Sequence, residues 1–312
     1  MPIDRLTEPL SPFSVISDIL RRVEVQIAAS KRRYSVPELL AMARSAPPLR
    51  SFSGALKGQF SLIAEIKRKS PSKGFMRHRD IKEIASIYSQ ARCVRAVSVL
   101  TNMADFGMDL GALTQVKEIV HQPILRKDFI IDPHQVYEAR AFGADAILLM
   151  ASILTKSGLR VLSNLAHDLG LEVLFEAHTK AEIDKFPKTA HICGINSRAF
   201  VAKAYSYQAS RFISRLGWRT RDLSTDLRKF HLSEYFRKRC IRVAESGISP
   251  CSVSTVRDRY KFDAILVGTS ILMARDLREA LQEFEDAIEK PIWANQPQMC
   301  LGPSFPILSQ VR

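Results

Sequence analysis

Glu65 and Lys67 stand two residues apart at the end of a short apolar run, Leu62-Ile63-Ala64, with Ile66 between them. In an extended strand that spacing sets an acid and a base on one face. Burying both is costly unless something requires them there; an edge strand with a solvent-facing ion pair carries the same pattern. The chain then enters Arg68-Lys69-Ser70-Pro71-Ser72-Lys73-Gly74, a hydroxyl-rich loop by composition. Further residues able to move protons or hold anions recur at the ends of later apolar runs: Lys127, Glu176, Asn196 with Arg198, and Glu245 with Ser246. One such residue is ordinarily a satisfied polar side chain. Their joint placement at the ends of five runs points to general acid–base chemistry.

Two glycine-bearing turns suit an anion. Glu245-Ser246-Gly247-Ile248 and Gly268-Thr269-Ser270 each follow an apolar run, and glycine lets the backbone approach a phosphate closely. His178 lies two residues after Glu176 and reads as a structural or loop histidine in preference to a base. The other histidines show no metal-ligand spacing, so no metal is expected.

The elements that must position these residues alternate. Apolar runs at 62–66, 96–100, 124–125, 146–150, 173–175, 192–195, 241–244 and 264–267 read as strands. Helical patterns at 81–90, 110–120, 133–142, 157–168, 181–186, 252–259 and 277–288 separate them or follow them. Eight strand–helix units predict an α/β chain of the (β/α)8 TIM-barrel type, whose active site lies at the C-terminal strand ends. A doubly wound open sheet is the alternative, but no G-x-G-x-x-G loop supports it. Phe13, Ile16, Leu20, Val23 and Ile27 recur at helical spacing, and 37–44 reads as a second short helix. Residues 1–60 are thus expected to be a tail and helical extension on the barrel, 61–289 the catalytic barrel, and 290–312 a C-terminal tail.

Composition narrows the class. The chain has 312 residues, 46% hydrophobic and 25% charged, as a globular protein does. The five cysteines form no C-x-x-C pair, which argues against a zinc ribbon or a disulfide framework. The N-terminus shows no apolar signal core and no run is long enough to span a bilayer, so a cytoplasmic protein without a membrane partner is expected. The net charge of +14 suits a nucleic-acid partner or an anionic substrate. Between Ala199 and Ala244 there are eleven Lys and Arg against three acids, more than half of that excess. This segment occupies the sixth crossover, about twice as long as the others.

The pieces Glu65-Ile66-Lys67-Arg68-Lys69-Ser70-Pro71-Ser72, Ser98-Val99-Leu100-Thr101, Leu125-Arg126-Lys127-Asp128-Phe129, Phe175-Glu176-Ala177-His178, Gly194-Ile195-Asn196-Ser197-Arg198, Ala244-Glu245-Ser246-Gly247 and Val267-Gly268-Thr269-Ser270 occur in one order. Together they resemble the indole-3-glycerol-phosphate synthase family, over roughly residues 12 to 289. The resemblance implies a cofactor-free lyase of tryptophan biosynthesis. It would close, decarboxylate and dehydrate 1-(2-carboxyphenylamino)-1-deoxyribulose 5-phosphate to indole-3-glycerol phosphate. By motif, Lys127 is the general acid at the ribulose carbonyl and Glu176 the base or iminium stabiliser. Glu65 assists dehydration, and Lys67, with Arg198, grips the anthranilate carboxylate. Asn196 and Glu245 orient sugar hydroxyls. Ser70, Ser246, Gly247, Gly268 and Thr269 hold the phosphate, and Leu100, Phe106, Phe129, Leu148 and Phe200 form the apolar anthranilate pocket.

The chain departs from the family pattern at Arg92-Cys93-Val94-Arg95-Ala96, at Phe106-Gly107-Met108-Asp109, at Asn196-Ser197-Arg198-Ala199-Phe200 and in the enlarged sixth crossover. Two alternatives stand beside the synthase: a diverged paralogue using a related aminodeoxyribulose phosphate, and a catalytically weak scaffold barrel acting through its basic insertion.

Residues 207–239 are expected to be an added surface element with amphipathic helices, their apolar face on the barrel and their basic face outward. A solvated face, a lid raising positive potential near the phosphate and a docking surface for a protein partner all fit; a nucleic-acid partner is not expected. Replacing four of its arginines by glutamine separates the last two. A lid predicts lowered catalytic efficiency, most at low ionic strength, whereas unchanged kinetics with lost polyanion binding mark a docking surface.

Overall fold

The computed structural model describes residues 6–8, 15–71, 73–198, 201–202, 221–222 and 224–290. Ser72, Phe200, most of both tails, and 203–220 with 223 in the basic crossover lie outside the described residues.

Eight parallel strands close on themselves: β1 (Ser61–Ile66), β2 (Val94–Leu100), β3 (Ile124–Lys127), β4 (Ala146–Met150), β5 (Glu172–Ala177), β6 (Ile192–Asn196), β7 (Ile241–Glu245) and β8 (Ala264–Val267). Closure comes where β1 pairs β8 with Ala64 opposite Val267, and β2 with Glu65 opposite Ser98. Helices cover the outside, so the strands are buried on both faces and read as nearly unbroken apolar runs. The eight sequence runs coincide with these strands to within two residues at either end. Closing the sheet brings residues far apart in sequence to one rim.

The N-terminal helices pack on the barrel. In α1 (Val15–Arg33) the face bearing Ile19, Val23 and Ile27 is buried, and its polar residues tie it down. Arg22 pairs with Asp105 at 2.5 Å, Lys31 with Asp132 at 2.6 Å, and the Gln26 amide donates to the Thr101 carbonyl at 3.2 Å. In α2 (Val36–Ser45) Ser35 and Glu38 form a capping box, and the helix packs on Pro133–Ala141. A short helix, Phe52–Leu56, has no clear sequence signal. It buries Phe52 and Leu56, and the Ser53 amide donates to Glu172 at 2.8 Å. Arg50 donates to the carbonyls of Val120 and Gln122 at 2.7 and 3.0 Å, locking this linker near the N-terminal end of β3.

Three expectations need correcting. The end of the basic crossover, expected among its amphipathic helices, forms a 3-10 helix at Leu227–Tyr235. The 252–259 pattern divides into a 3-10 turn at Pro250–Ser252 and a π-helical turn at Thr255–Arg259. The hydroxyl-rich loop after β1 carries a small antiparallel ribbon pairing Lys69 with Phe75 and Ser70 with Gly74. In the first two cases the apolar spacing marks a buried face but does not fix which hydrogen-bond period serves it.

The apolar face expected of the crossover is present in its described end. Phe230 is fully buried, with ring centroids 5.1 Å from Phe262 and 6.0 Å from Tyr260, and Phe236 stacks on Phe186. Phe230→Ala is expected to cost about 3–5 kcal/mol in a denaturant melt. A loss below about 1 kcal/mol would show that this aromatic cluster is not part of the core.

Candidate active site

The C-terminal rim of the barrel holds a cluster of opposed charges. Lys127, the last residue of β3, extends its ammonium to Glu176 on β5 at 3.1 Å and to Glu245 on β7 at 3.3 Å. Glu65 on β1 pairs with Lys67 at 2.5 Å, and both side chains are less than 10% exposed. The solvent-facing edge pair is therefore excluded: these charges lie inside. Two glycines make the room. A Cβ on Gly194 of β6 would collide with the Glu245 carboxylate, and one on Gly268 would collide with that of Glu65.

The carboxylates differ in protonation. Burial alone would raise Glu65, but Lys67, Lys127 and Arg198 outweigh it and hold the group below its ordinary value. Burial likewise opposes the charge on Glu176, and Lys127 with His178 holds it low. Glu245 goes the other way. Burial and then the adjacent Glu176 raise it well above the ordinary value, against the pull of Lys127. Two neighbouring buried carboxyl groups resist ionising together, and their affinities for a proton are pushed apart. Lys127 would be discharged by burial, but Glu176, Glu245 and Glu65 raise it and keep it an ammonium.

A cavity opens over this cluster. Its lining includes the expected Glu65, Lys67, Ser70, Leu100, Phe106, Lys127, Phe129, Leu148, Glu176, Asn196, Arg198 and Ser246. Phe106 and Phe129 stack on one side, centroids 6.4 Å apart. Pro71, Asp128 and Met150 also line it and were not singled out as site residues, although Met150 ends β4 and Asp128 lies within the Lys127 motif. Asp128 accepts from the Thr101 hydroxyl at 2.6 Å and the Phe129 amide at 2.9 Å, and pairs with buried Arg126 at 3.1 Å. It thereby fixes the backbone on either side of Lys127 and Phe129.

Glu245, Gly247, Gly268 and Thr269 are not among the lining residues. Glu245 lies behind Lys127, and Gly268 serves by leaving space for Glu65. Ser246 and Gly247 both adopt left-handed backbone, φ 69° and 72°, and turn the chain sharply after β7. For Ser246 that conformation is strained. The Ser197 hydroxyl holds the turn by donating to the Ser246 carbonyl at 2.8 Å. Arg198 bridges to Thr225, and Thr225 lies against Gly247, so the crossover returns beside this turn. No cluster able to hold a metal ion occurs among the described residues. No described helix is long and apolar enough to cross a membrane.

A family model described as indole-3-glycerol phosphate synthase matches residues 16–208. The chain belongs to the indole-3-glycerol phosphate synthase family. A relative of that name from Neisseria meningitidis serogroup C is 41% identical over 192 residues, covering 59% of this chain and 73% of the relative. Another, from Bacteroides thetaiotaomicron, is 32% identical over 277 residues, covering 88% of this chain and 99% of the relative. Among solved structures, 3-hexulose-6-phosphate synthase from Salmonella typhimurium superposes with a TM-score of 0.51 at 14% identity, covering 73% of this chain and 98% of that one. That likeness is one of barrel fold alone.

The raised Glu245 has a thermodynamic consequence. Between the unfolded carboxyl value and the raised one, the folded protein keeps a proton that the unfolded chain has released. Stability therefore falls as pH rises through that window. Glu245→Gln cannot lose a proton. The melting temperature of the variant relative to wild type should rise from acid to neutral pH by a few degrees, the scale of about 1 kcal/mol. A difference that does not change with pH would show that Glu245 titrates normally.

Proposed function

We propose that this protein is an indole-3-glycerol-phosphate synthase: a carboxy-lyase that converts 1-(2-carboxyphenylamino)-1-deoxyribulose 5-phosphate to indole-3-glycerol phosphate, carbon dioxide and water, without a cofactor. The observation that carries this is the charged tip of Lys127, backed by Glu176 and Glu245, facing a cavity with an aromatic wall. One side suits an anthranilate ring, the other a carbonyl that must accept a proton.

In the proposed reaction the ring seats among Leu100, Phe106, Phe129 and Leu148. Its carboxylate competes with Glu65 for Lys67, and Arg198 adds a second positive charge. Ser70 and Ser246 hold the phosphate, with the turns at Gly247 and at Gly268-Thr269 shaping that end. The aromatic carbon attacks the ribulose carbonyl carbon while Lys127 gives its proton to the carbonyl oxygen. A fixed ammonium in a poorly hydrated site stabilises the developing oxyanion far better than water does. Glu176, held ionised, stabilises the iminium charge on the nitrogen. Loss of carbon dioxide restores the electron pair to the ring. Once Lys127 has regained a proton from solvent, it protonates the departing hydroxyl while Glu65 takes the proton from the adjacent carbon, which forms the indole double bond and releases water. Asn196 orients a sugar hydroxyl, and its side chain already accepts from the Arg198 amide at 3.0 Å. Glu245, a buried neutral acid, acts by setting the charge of the Lys127–Glu176 pair more than by direct contact with substrate.

Purified protein supplied with the carboxyphenylamino substrate should generate indole fluorescence; folded protein giving only the uncatalysed rate sinks the proposal. Lys127→Ala should lower kcat by about 10²–10⁴, the range for a lost general acid, with little change in phosphate affinity. Ser246→Asp should instead raise KM by about tenfold or more, since it sets a carboxylate against the phosphate. A raised KM alone in both variants would refute the division between chemical and gripping residues.

A further inference from the structure

At the proposed phosphate end, Ser246 holds a backbone conformation that its residue type disfavours. Its φ of 69° is left-handed, as is that of Gly247 at 72°, and a serine relaxes from that region unless its neighbours prevent it. The neighbours are Ser197 and the returning limb of the sixth crossover. Ser197 follows β6 by one residue and is fully buried. Its amide donates to the Glu245 carbonyl at 2.9 Å, and its hydroxyl donates to the Ser246 carbonyl at 2.8 Å. The limb closes over it. The Asp226 amide donates to the Ser197 carbonyl at 3.1 Å, and Thr225 bridges to Arg198. Thr225 also fills the space beside Gly247, where a Cβ would stand 2.6 Å from its side chain. From the other side the Ser270 hydroxyl donates to the Ile248 carbonyl at 3.2 Å. The turn after β7 is thus tied to the ends of both neighbouring strands.

Ser246 lines the cavity and Ser197 does not. A ligand therefore meets the turn and not the residue that holds it. A phosphate is bound best by groups already in place; a turn that must be rebuilt on binding loses part of its affinity to that rearrangement. None of these hydrogen bonds involves the side chain of Lys127, Glu176 or Glu65.

We propose that Ser197, with Thr225 and Asp226 of the returning limb, holds Ser246 and Gly247 in the left-handed turn and thereby sets the affinity for a phosphate group without taking part in the chemical step. Ser197 is a positioning residue, and the foot of the enlarged crossover is a determinant of ligand affinity. That Ser246 meets the phosphate rests on the synthase reading above; that the turn depends on Ser197 does not.

The binding test uses glycerol 3-phosphate, which carries the phosphorylated tail of the proposed product, followed by calorimetry. Ser197→Ala should weaken binding about three- to tenfold, the scale of one neutral hydrogen bond. Glycine enters the left-handed region freely, so in a Ser246→Gly background the same change should cost no more than about twofold. A packing defect would weaken both backgrounds equally. That result, full affinity in Ser197→Ala, or a wild type that does not bind the probe overturns the proposal. The comparison needs no turnover, so it decides the proposal even if the protein is inactive on the carboxyphenylamino substrate.

The turn itself is read by amide hydrogen exchange. Exchange at residues 246–248 should quicken about three- to tenfold in Ser197→Ala. Thr225 is exposed, so Thr225→Gly provides the test should Ser197→Ala fold poorly, and it should quicken the same amides. Unchanged exchange in both variants overturns the proposal. With active enzyme, Ser197→Ala should raise KM about three- to tenfold with kcat within about twofold, and a fall in kcat at unchanged KM overturns it.

Discussion

One buried ammonium governs the interior of this barrel. Lys127 is held as an ammonium because three acidic side chains surround it, and those held ionised could not be buried without it. Removing either side leaves uncompensated charge in a poorly hydrated space, at a cost of several kcal/mol. The neighbouring structure follows from that constraint. Gly194 and Gly268 lack side chains where the carboxylates need volume, and Glu245 takes up a proton because Glu176 does not. The barrel thus stores an arrangement that hydrophobic residues of similar size would make more stable and chemically inert.

Much of the scaffold was legible in the sequence because parallel strands covered on both faces leave short, unbroken apolar runs. Runs 146–150 and 264–267 coincide with β4 and β8 at both ends. Where the burial pattern was one-sided, legibility fell. Leu227, Phe230 and Phe236 announce a buried face, yet the first two sit on a 3-10 helix, with Phe236 just past its end, and the residue types do not specify that period. Phe52–Leu56 is too short to show any period, and it is positioned by Arg50 and Glu172, partners distant in sequence.

The site was legible in a different way. Residue types at strand ends suffice to gather Glu65, Lys67, Lys127, Glu176, Asn196 and Ser246 around one opening, since closure of the sheet does the rest. What they could not reveal is which carboxyl is neutral. That depends on the space between Glu176 and Glu245, which no linear spacing encodes. His178 shows the same limit. Its place in the sequence fits a loop residue, and only the fold shows that Glu182, in the next helix turn, comes within 3.4 Å of its ring.

The enlarged sixth crossover leaves and re-enters the barrel through a narrow gate. Arg198 bridges to Thr225, Asp226 donates its amide to the Ser197 carbonyl, and Val201–Ala202 pairs with Arg221–Asp222. Both ends of the segment are therefore fixed to each other before its length matters. The entropy of closing a loop grows only logarithmically, about 0.6 kcal/mol for each doubling. Such a gate decouples the fate of what lies beyond it from the fate of the rim. Natural or engineered lineages can lengthen, shorten or replace the segment, even with a foreign module, while Arg198 and the Ser246 turn keep their places. The sixth crossover is thus a port through which new sequence can enter while the rim is already held together.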